Sequence, residues 1–214
     1  MEIKIPSQSK TLMKSKKDLE LILSKLKNIE SPKINLEQFQ TPSDIAAEVL
    51  WFAYMNNDIK NKIVADLGCG NGILGIGSSF LGAKKIIFLD SDRSSLFIAK
   101  NNFENLNLKN AVFLDKNISE FNEKVDAVIQ NPPFGVQNEH ADKEFLIAAM
   151  KFSKKIYSFH KLESEKFIIA LAKDYSFKLK GILKFNFPIK KTQQFHSKEN
   201  YIVKVGCFIL NRNI

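Results

Sequence analysis

The chain has 214 residues and a mass of 24.4 kDa, and 44% of its residues are hydrophobic. That is enough to bury a full core. With no break in composition it reads as one domain, 1–214, with a helix and covering segment over 1–40 ahead of the main body at 41–214. Two distant cysteines, Cys69 and Cys207, exclude a disulfide framework and a zinc site. The absence of an apolar run of 18 residues or an apolar N-terminal stretch excludes a membrane span and a signal peptide, so a cytoplasmic protein is expected.

The net charge of +9 is uneven. It is +3 over residues 1–30 (7 basic, 4 acidic), −4 over 31–150 (11 basic, 15 acidic) and +10 over 151–214 (14 basic, 4 acidic). A mildly acidic middle beside a basic C-terminal third suggests an electrostatic footprint for a polyanion. In chain order, Leu12, Leu19, Ile22, Leu26 and Ile29 recur at helical intervals and predict a helix over Thr11 to Ile29, ended by Ser31-Pro32. Thr41 is expected to cap a second helix, with Pro42 at its first position and Asp44 in its first turn. The Gln38 to Thr41 turn is then free to fold over a ligand.

From Ile63 an apolar strand runs through Asp66 into Gly68, Gly70 and Gly72, and on into a helix from Ile73 to Leu81. Such a loop lets the backbone approach a ligand at the carboxyl end of a strand, beside a helix N-terminus that favours negative charge. Ile73 stands where a dinucleotide fingerprint needs its third glycine, which argues against NAD. Lys85 to Asp90 is a buried-type strand ending in a carboxylate 24 positions after Asp66, where an acid can accept both ribose hydroxyls. Asp92 is a weaker candidate for that role. Ala111 to Leu114 reads as the next strand.

The apolar run Val125 to Gln130 leads into Asn-Pro-Pro-Phe-Gly at 131–135. A planar exocyclic amine is a poor nucleophile, and acceptors must draw on its two N–H protons. The side-chain oxygen of Asn131 and the carbonyl of Pro132 can each take one, while Pro132 and Pro133 fix φ and stiffen the turn. Phe134 offers a flat face for a base, worth about 1–3 kcal/mol in stacking. A plain Pro-rich turn after a strand is the alternative. Beyond it come a helix from Asp142 to Ser153, a strand from Ile156 to Phe159 and a helix near Ser164 to Tyr175. Strands at Leu179 to Phe187 and Ile202 to Leu210 can pair antiparallel. The alternation predicts an α/β fold, a seven-stranded, mostly parallel sheet with an antiparallel C-terminal strand and helices on both faces. His140 and His160 read as a loop and a strand-end histidine rather than as bases.

The glycine loop resembles the Asp-x-Gly-x-Gly-x-Gly loop of class I, Rossmann-like methyltransferases that use S-adenosyl-L-methionine, with Asp66 ordering the loop. Leu36-Glu-Gln-Phe-Gln-Thr41, Ala65 to Gly70, Asn131 to Gly135, Ser158 to Lys161 and Phe195 to Lys198 together resemble the methyltransferase-like protein five family, over roughly residues 15–212. The resemblance implies transfer to N6 of one adenosine in small-subunit ribosomal RNA. The catalytic residues would be Asn131, Pro132, Pro133 and Phe134. The cofactor would lie against Asp66, Gly68, Gly70, Gly72, Ile73 and Asp90, with Gln38, Thr41 and Asn71 also lining the pocket and residues 1–40 covering it. Asn117 and Ile118 would reach the adenine ring, with Asn117 where many relatives carry aspartate. RNA contacts are expected at Lys161, Lys190, Lys191, Phe195, His196 and Lys198, and a second set at Lys14, Lys16 and Lys17. A small zinc-binding activator protein is the implied partner, pairing with an edge strand near Ala111 to Leu114. No metal is expected in the chain itself. Two other functions fit parts of the pattern: a protein glutamine N5-methyltransferase, since the loop can hold a carboxamide nitrogen, and a non-catalytic RNA-binding scaffold. The basic C-terminal third and a phenylalanine at 134 favour RNA.

Overall fold

The computed structural model describes residues 13–30, 32–33, 37–134, 141–190 and 200–213. Its centre is a seven-stranded sheet built from β1 (Ile63–Leu67), β2 (Lys85–Asp90), β3 (Ala111–Asp115), β4 (Ala127–Gln130), β5 (Lys155–Lys161), β6 (Phe177–Lys190) and β7 (Asn200–Arg212). The spatial order is β3-β2-β1-β4-β5-β7-β6. β1 to β5 pair in parallel, and β7 runs antiparallel to both β5 and β6. This is the architecture expected from the alternation of elements.

Helices cover both faces because the strands of the sheet's interior are apolar on both sides. On one face lie α1 (Lys16–Leu23), α2 (Ser43–Met55), α3 (Ile73–Phe80) and α4 (Arg93–Asn105), enclosing a core with Leu19, Leu50, Ile76, Phe88, Phe103 and Phe187. On the other lie α5 (Ala141–Phe152) and α6 (Glu165–Asp174), whose Leu146, Met150, Ile168 and Leu171 pack on Leu67, Val128, Ile156 and Phe208. A short 3-10 turn at Ile118–Glu120 closes the sheet top between β3 and β4.

Three differences from the sequence reading have local causes. The first helix is shorter than Thr11 to Ile29: Ser15 starts it by accepting a hydrogen bond from the Asp18 amide, and it ends at Leu23. Leu26 is carried into the core by a tightened turn, with its amide bonded to the Leu23 carbonyl at 3.3 Å. Thr11 and Leu12 lie outside the described residues. Thr41 does not cap α2, which has no side-chain cap; the Ala46 amide bonds the Pro42 carbonyl, and the Thr41 hydroxyl is engaged elsewhere. Finally, α4 was not assigned from sequence; Asp92 caps it by accepting from the Ser94 amide.

Candidate active site

A cavity of about 250 Å3 opens at the carboxyl ends of β1, β2 and β4. Its base is the glycine loop. Gly68, Gly70 and Gly72 have φ of +68°, +55° and +84°, a left-handed run that residues with a Cβ adopt at a cost. A Cβ at Gly68 would also stand 3.0 Å from the Phe145 ring. The loop is tied to the neighbouring strand by the Gly68 and Cys69 amides, which donate to the Leu89 carbonyl at 2.8 and 3.0 Å. Gly70, Asn71 and Ile73 line the cavity; Gly72 does not reach it, and packs instead against Ala99 of α4.

Two carboxylates organise this base. Asp66 is buried, and its Oδ2 accepts from the Gly75 amide at 2.7 Å, pinning the first turn of α3. Burial raises its carboxyl well above the usual range, the Gly75 hydrogen bond opposes that, and the charge of Asp90 adds to it. Asp90 accepts from the Gly70 amide through Oδ2 and the Asp92 amide through Oδ1, both at 2.9 Å. Burial raises the Asp90 carboxyl, with the Asp92 and Gly70 amides pulling it back.

Residues 37–41 form one wall, and their hold is Asp92. Gln38 Nε2 donates to Asp92 Oδ2 at 2.7 Å and to Ser95 Oγ at 3.1 Å, its Oε1 accepts from the Lys33 amide at 2.8 Å, and Lys33 Nζ meets Asp92 Oδ1 at 2.8 Å. Burial pushes the Asp92 carboxyl up, but hydrogen bonds from Lys33, Gln38, Ser94 and Ser95 outweigh it and hold the group well below the usual carboxylate range. Asp92 therefore faces the covering segment rather than the cavity. Asn71 helps from below, donating to the Lys27 carbonyl at 3.3 Å. Asn102, which sequence reasoning missed, bonds the same carbonyl and that of Asn71, each at 3.0 Å. Nothing in its mid-helix setting marked it.

The adjoining wall is the end of β4. Asn131 and Pro133 line the cavity, while Pro132 and Phe134 are buried beside it. Asn131 Nδ2 donates to the Phe39 carbonyl at 3.2 Å and to Thr41 Oγ1 at 3.0 Å, and its buried Oδ1 has no protein partner. The Phe134 ring lies nearly parallel to that of Phe39, 5.9 Å away at 17°, and meets Phe187 of β6 edge-on at the same distance. Phe39 thus joins the site without a sequence signal of its own. Asn117 and Ile118 stand at the mouth, Asn117 exposed.

The charge of the lining is one-sided: Glu37, Asp66, Asp90 and Glu144 contribute to it, and none of its described residues is Lys or Arg. His160 is buried in β5 between Ser158 Oγ at 2.7 Å and Asp142 Oδ2 at 3.3 Å, away from the cavity. Lys161, at the end of β5, faces Glu163 at 3.9 Å. Lys16 pairs with Glu48 and Lys17 with Glu20, and Lys14 is exposed. The side chain of Lys190, and the whole of Gly135, His140, Lys191, Phe195, His196 and Lys198, lie outside the described residues.

The methyltransferase small domain family matches residues 40–195. The zebrafish (Danio rerio) rRNA N(6)-adenosine-methyltransferase METTL5 is 35% identical over 196 residues, 88% of this chain and 95% of the relative, and its Drosophila melanogaster counterpart is 30% identical over 87% and 92%. The crystal structure of PH1948 from Pyrococcus horikoshii superposes with a TM-score of 0.88 at 38% identity, covering 94% of this chain and all of that one.

Proposed function

Because the chain belongs to the methyltransferase small domain family and, within it, to the METTL5 group of rRNA N(6)-adenosine-methyltransferases, we propose that it methylates N6 of an adenosine in small-subunit ribosomal RNA, using S-adenosylmethionine. The cavity fits that cofactor. Acidic side chains and no Lys or Arg in the described lining suit a ligand bearing sulfonium and ammonium charges, and disfavour the pyrophosphate of a dinucleotide. Asp90 would hold the ribose hydroxyls, the Gly68 and Gly70 backbone would allow close approach, and Asn117 and Ile118 would meet the adenine at the mouth. Gln38, Thr41 and Asn71 complete the wall. When bound, the cofactor supplies an electrophilic methyl group.

The observation that carries this reading is Asn131 Oδ1, a buried acceptor with no protein partner at the wall of the cavity. A buried acceptor left empty costs about 1–3 kcal/mol, and a substrate N–H would satisfy it. Asn131 would accept one proton of the N6 amine and the Pro132 carbonyl the other, with Pro132 and Pro133 keeping the turn stiff. This aims acceptors at the charge that develops on nitrogen. Phe134 would stack with the base, which must displace the Phe39 ring from the face it covers. A cationic product amine releases its extra proton to water, so no general base is needed, and buried His160 is not asked to serve as one.

The substrate is read from charge and the partner from topology. The described part of the basic C-terminal third exposes Lys184 and Lys204 on the β6–β7 pair near Lys161, and Lys178 and Lys180 at the other end of that pair. These suit phosphate contacts with RNA. β3 is an edge of the sheet with Val112 39% exposed, and this edge would receive a strand of a small zinc-binding activator protein.

Nucleoside mass spectrometry on small-subunit RNA tests the reading. Wild type with S-adenosylmethionine should produce N6-methyladenosine, and Asn131→Ala should produce none while binding the cofactor about as well. Failure of wild type on RNA and intact subunits, with methylation of a protein glutamine instead, would replace the substrate. Equal loss of turnover and cofactor binding in Asn131→Ala would remove its assigned role.

A further inference from the structure

Thr41 precedes a helix and is followed by proline, a setting in which a threonine normally caps the backbone. It does not do so here. Its hydroxyl, on a residue only 4% exposed, accepts from Asn131 Nδ2 at 3.0 Å, across 90 positions of sequence, and the Phe39 carbonyl accepts from the same nitrogen at 3.2 Å.

These contacts decide which way the Asn131 amide faces. A backbone carbonyl can only accept, so the group turned toward Phe39 must be the NH2. The oxygen is then fixed on the other side, where it is buried and has no protein partner. Rotating the amide by half a turn would set an N–H donor against the N–H donors of the substrate amine and point its oxygen at the Phe39 carbonyl. Both arrangements are repulsive.

We propose that Thr41 is a positioning residue for methyl transfer, acting through Asn131: its hydroxyl, with the Phe39 carbonyl, locks the amide so that Oδ1 faces the incoming amine. The assignment rests on the reading of Asn131 given above. The two N–H···O bonds also polarise the amide and strengthen Oδ1 as an acceptor. The residues that hold the amide belong to the same 37–41 segment that lines the cofactor cavity. Filling that cavity would therefore steady the amide before the substrate arrives.

Thr41→Val keeps the shape and removes the acceptor, whereas Thr41→Ser keeps the hydroxyl. At saturating S-adenosylmethionine, Thr41→Val should lower kcat about tenfold to a hundredfold, in line with the penalty for a misplaced reacting group. The KM for RNA should change little, and Thr41→Ser should recover most of the rate. Calorimetric binding of S-adenosylmethionine to each variant separates a loss of positioning from a loss of folding or of cofactor affinity. The side-chain amide signal of Asn131, followed by NMR, gives a readout independent of turnover. It should move in Thr41→Val and stay in Thr41→Ser. Wild-type kcat in Thr41→Val, or an unmoved amide signal, overturns the proposal even if Asn131→Ala is inactive. A wild-type enzyme that leaves adenosine unmethylated instead overturns the reading of the substrate, and the amide signal still decides the role of Thr41.

Discussion

At Gly75 the absence of one carbon sets the distance between α3 and the sheet. A Cβ there would stand 2.2 Å from Cε1 and 2.6 Å from Cζ of Phe88, and 3.0 Å from Cγ2 of Ile86. Phe88 cannot swing clear, since it is fully buried and stacked on Phe113 with centroids 4.8 Å apart. Gly75→Ala should therefore lower the unfolding free energy by about 1–3 kcal/mol through overpacking. Urea denaturation measures this, and an unchanged midpoint would show that the helix can lift off at no cost. Residues placed by spacing were largely readable in the sequence: Asp66, Gly68, Gly70 and Asp90 line the cavity as a strand-loop-helix-strand unit requires, while Gly72 packs on Ala99 instead. Thr41 lines the cavity as expected, but its bond to Asn131 was not readable, because local sequence offers it a helix cap and only the folded chain offers it Asn131. Phe39 was hidden for the same reason, since an aromatic in a loop carries no mark of the ring it will meet.

The covering segment depends on one carboxylate. Asp92 gathers Lys33, Gln38, Ser94 and Ser95, and its depressed pKa means that it stays ionised in the folded protein. Its contribution is complete above the ordinary aspartate value of about 4 and is lost as pH falls through the lower folded value. Asp92→Asn would put an amide N–H against one of the donors now held by the carboxylate. We expect it to raise the S-adenosylmethionine Kd about tenfold at pH 7, the scale of one charge-assisted hydrogen bond. Calorimetry at pH 5 and pH 7 should give the same ratio, because wild-type Asp92 is ionised at both. An unaltered Kd would detach the segment from cofactor binding. Among the elements, β2 was legible to the residue and β3 to within one, while β6 and β7 run two or three residues beyond each expected end. α4 was overlooked although Leu96, Ala99 and Phe103 keep helical spacing, because exposed Phe97 and half-buried Ile98 beside Leu96 blur the apolar face. The first helix was read too long because Leu26 and Ile29 keep helical spacing while the chain has already turned out of the helix.

Over the whole molecule, alternation of strands and helices was sufficient to read the sheet, its mostly parallel sense and the antiparallel C-terminal strand. It gave no order for β7 and β6, which depends on packing. The sheet has two edges that differ in chemistry. β6 carries exposed Lys178, Lys180 and Lys184 and Pro188, residues that discourage pairing with another strand. β3 is shorter and offers Val112. Coexpression with the activator should raise the yield of non-aggregated enzyme, and Val112→Lys should cancel that gain in a pull-down. Equal yield with and without the activator, at wild-type turnover, would leave β3 without a partner.

The position of β7 also has a consequence in time. It lies between β5 and β6, although it is made after both. β6 can pack on α6, made before it, but has no strand to bridge it to β5 until residues 200–212 exist. Phe187, which braces Phe134, is on that waiting strand. The cavity end of the sheet is built from strands made earlier, whereas the edge-on contact of Phe187 with Phe134 sits on a strand held to the sheet by the later β7.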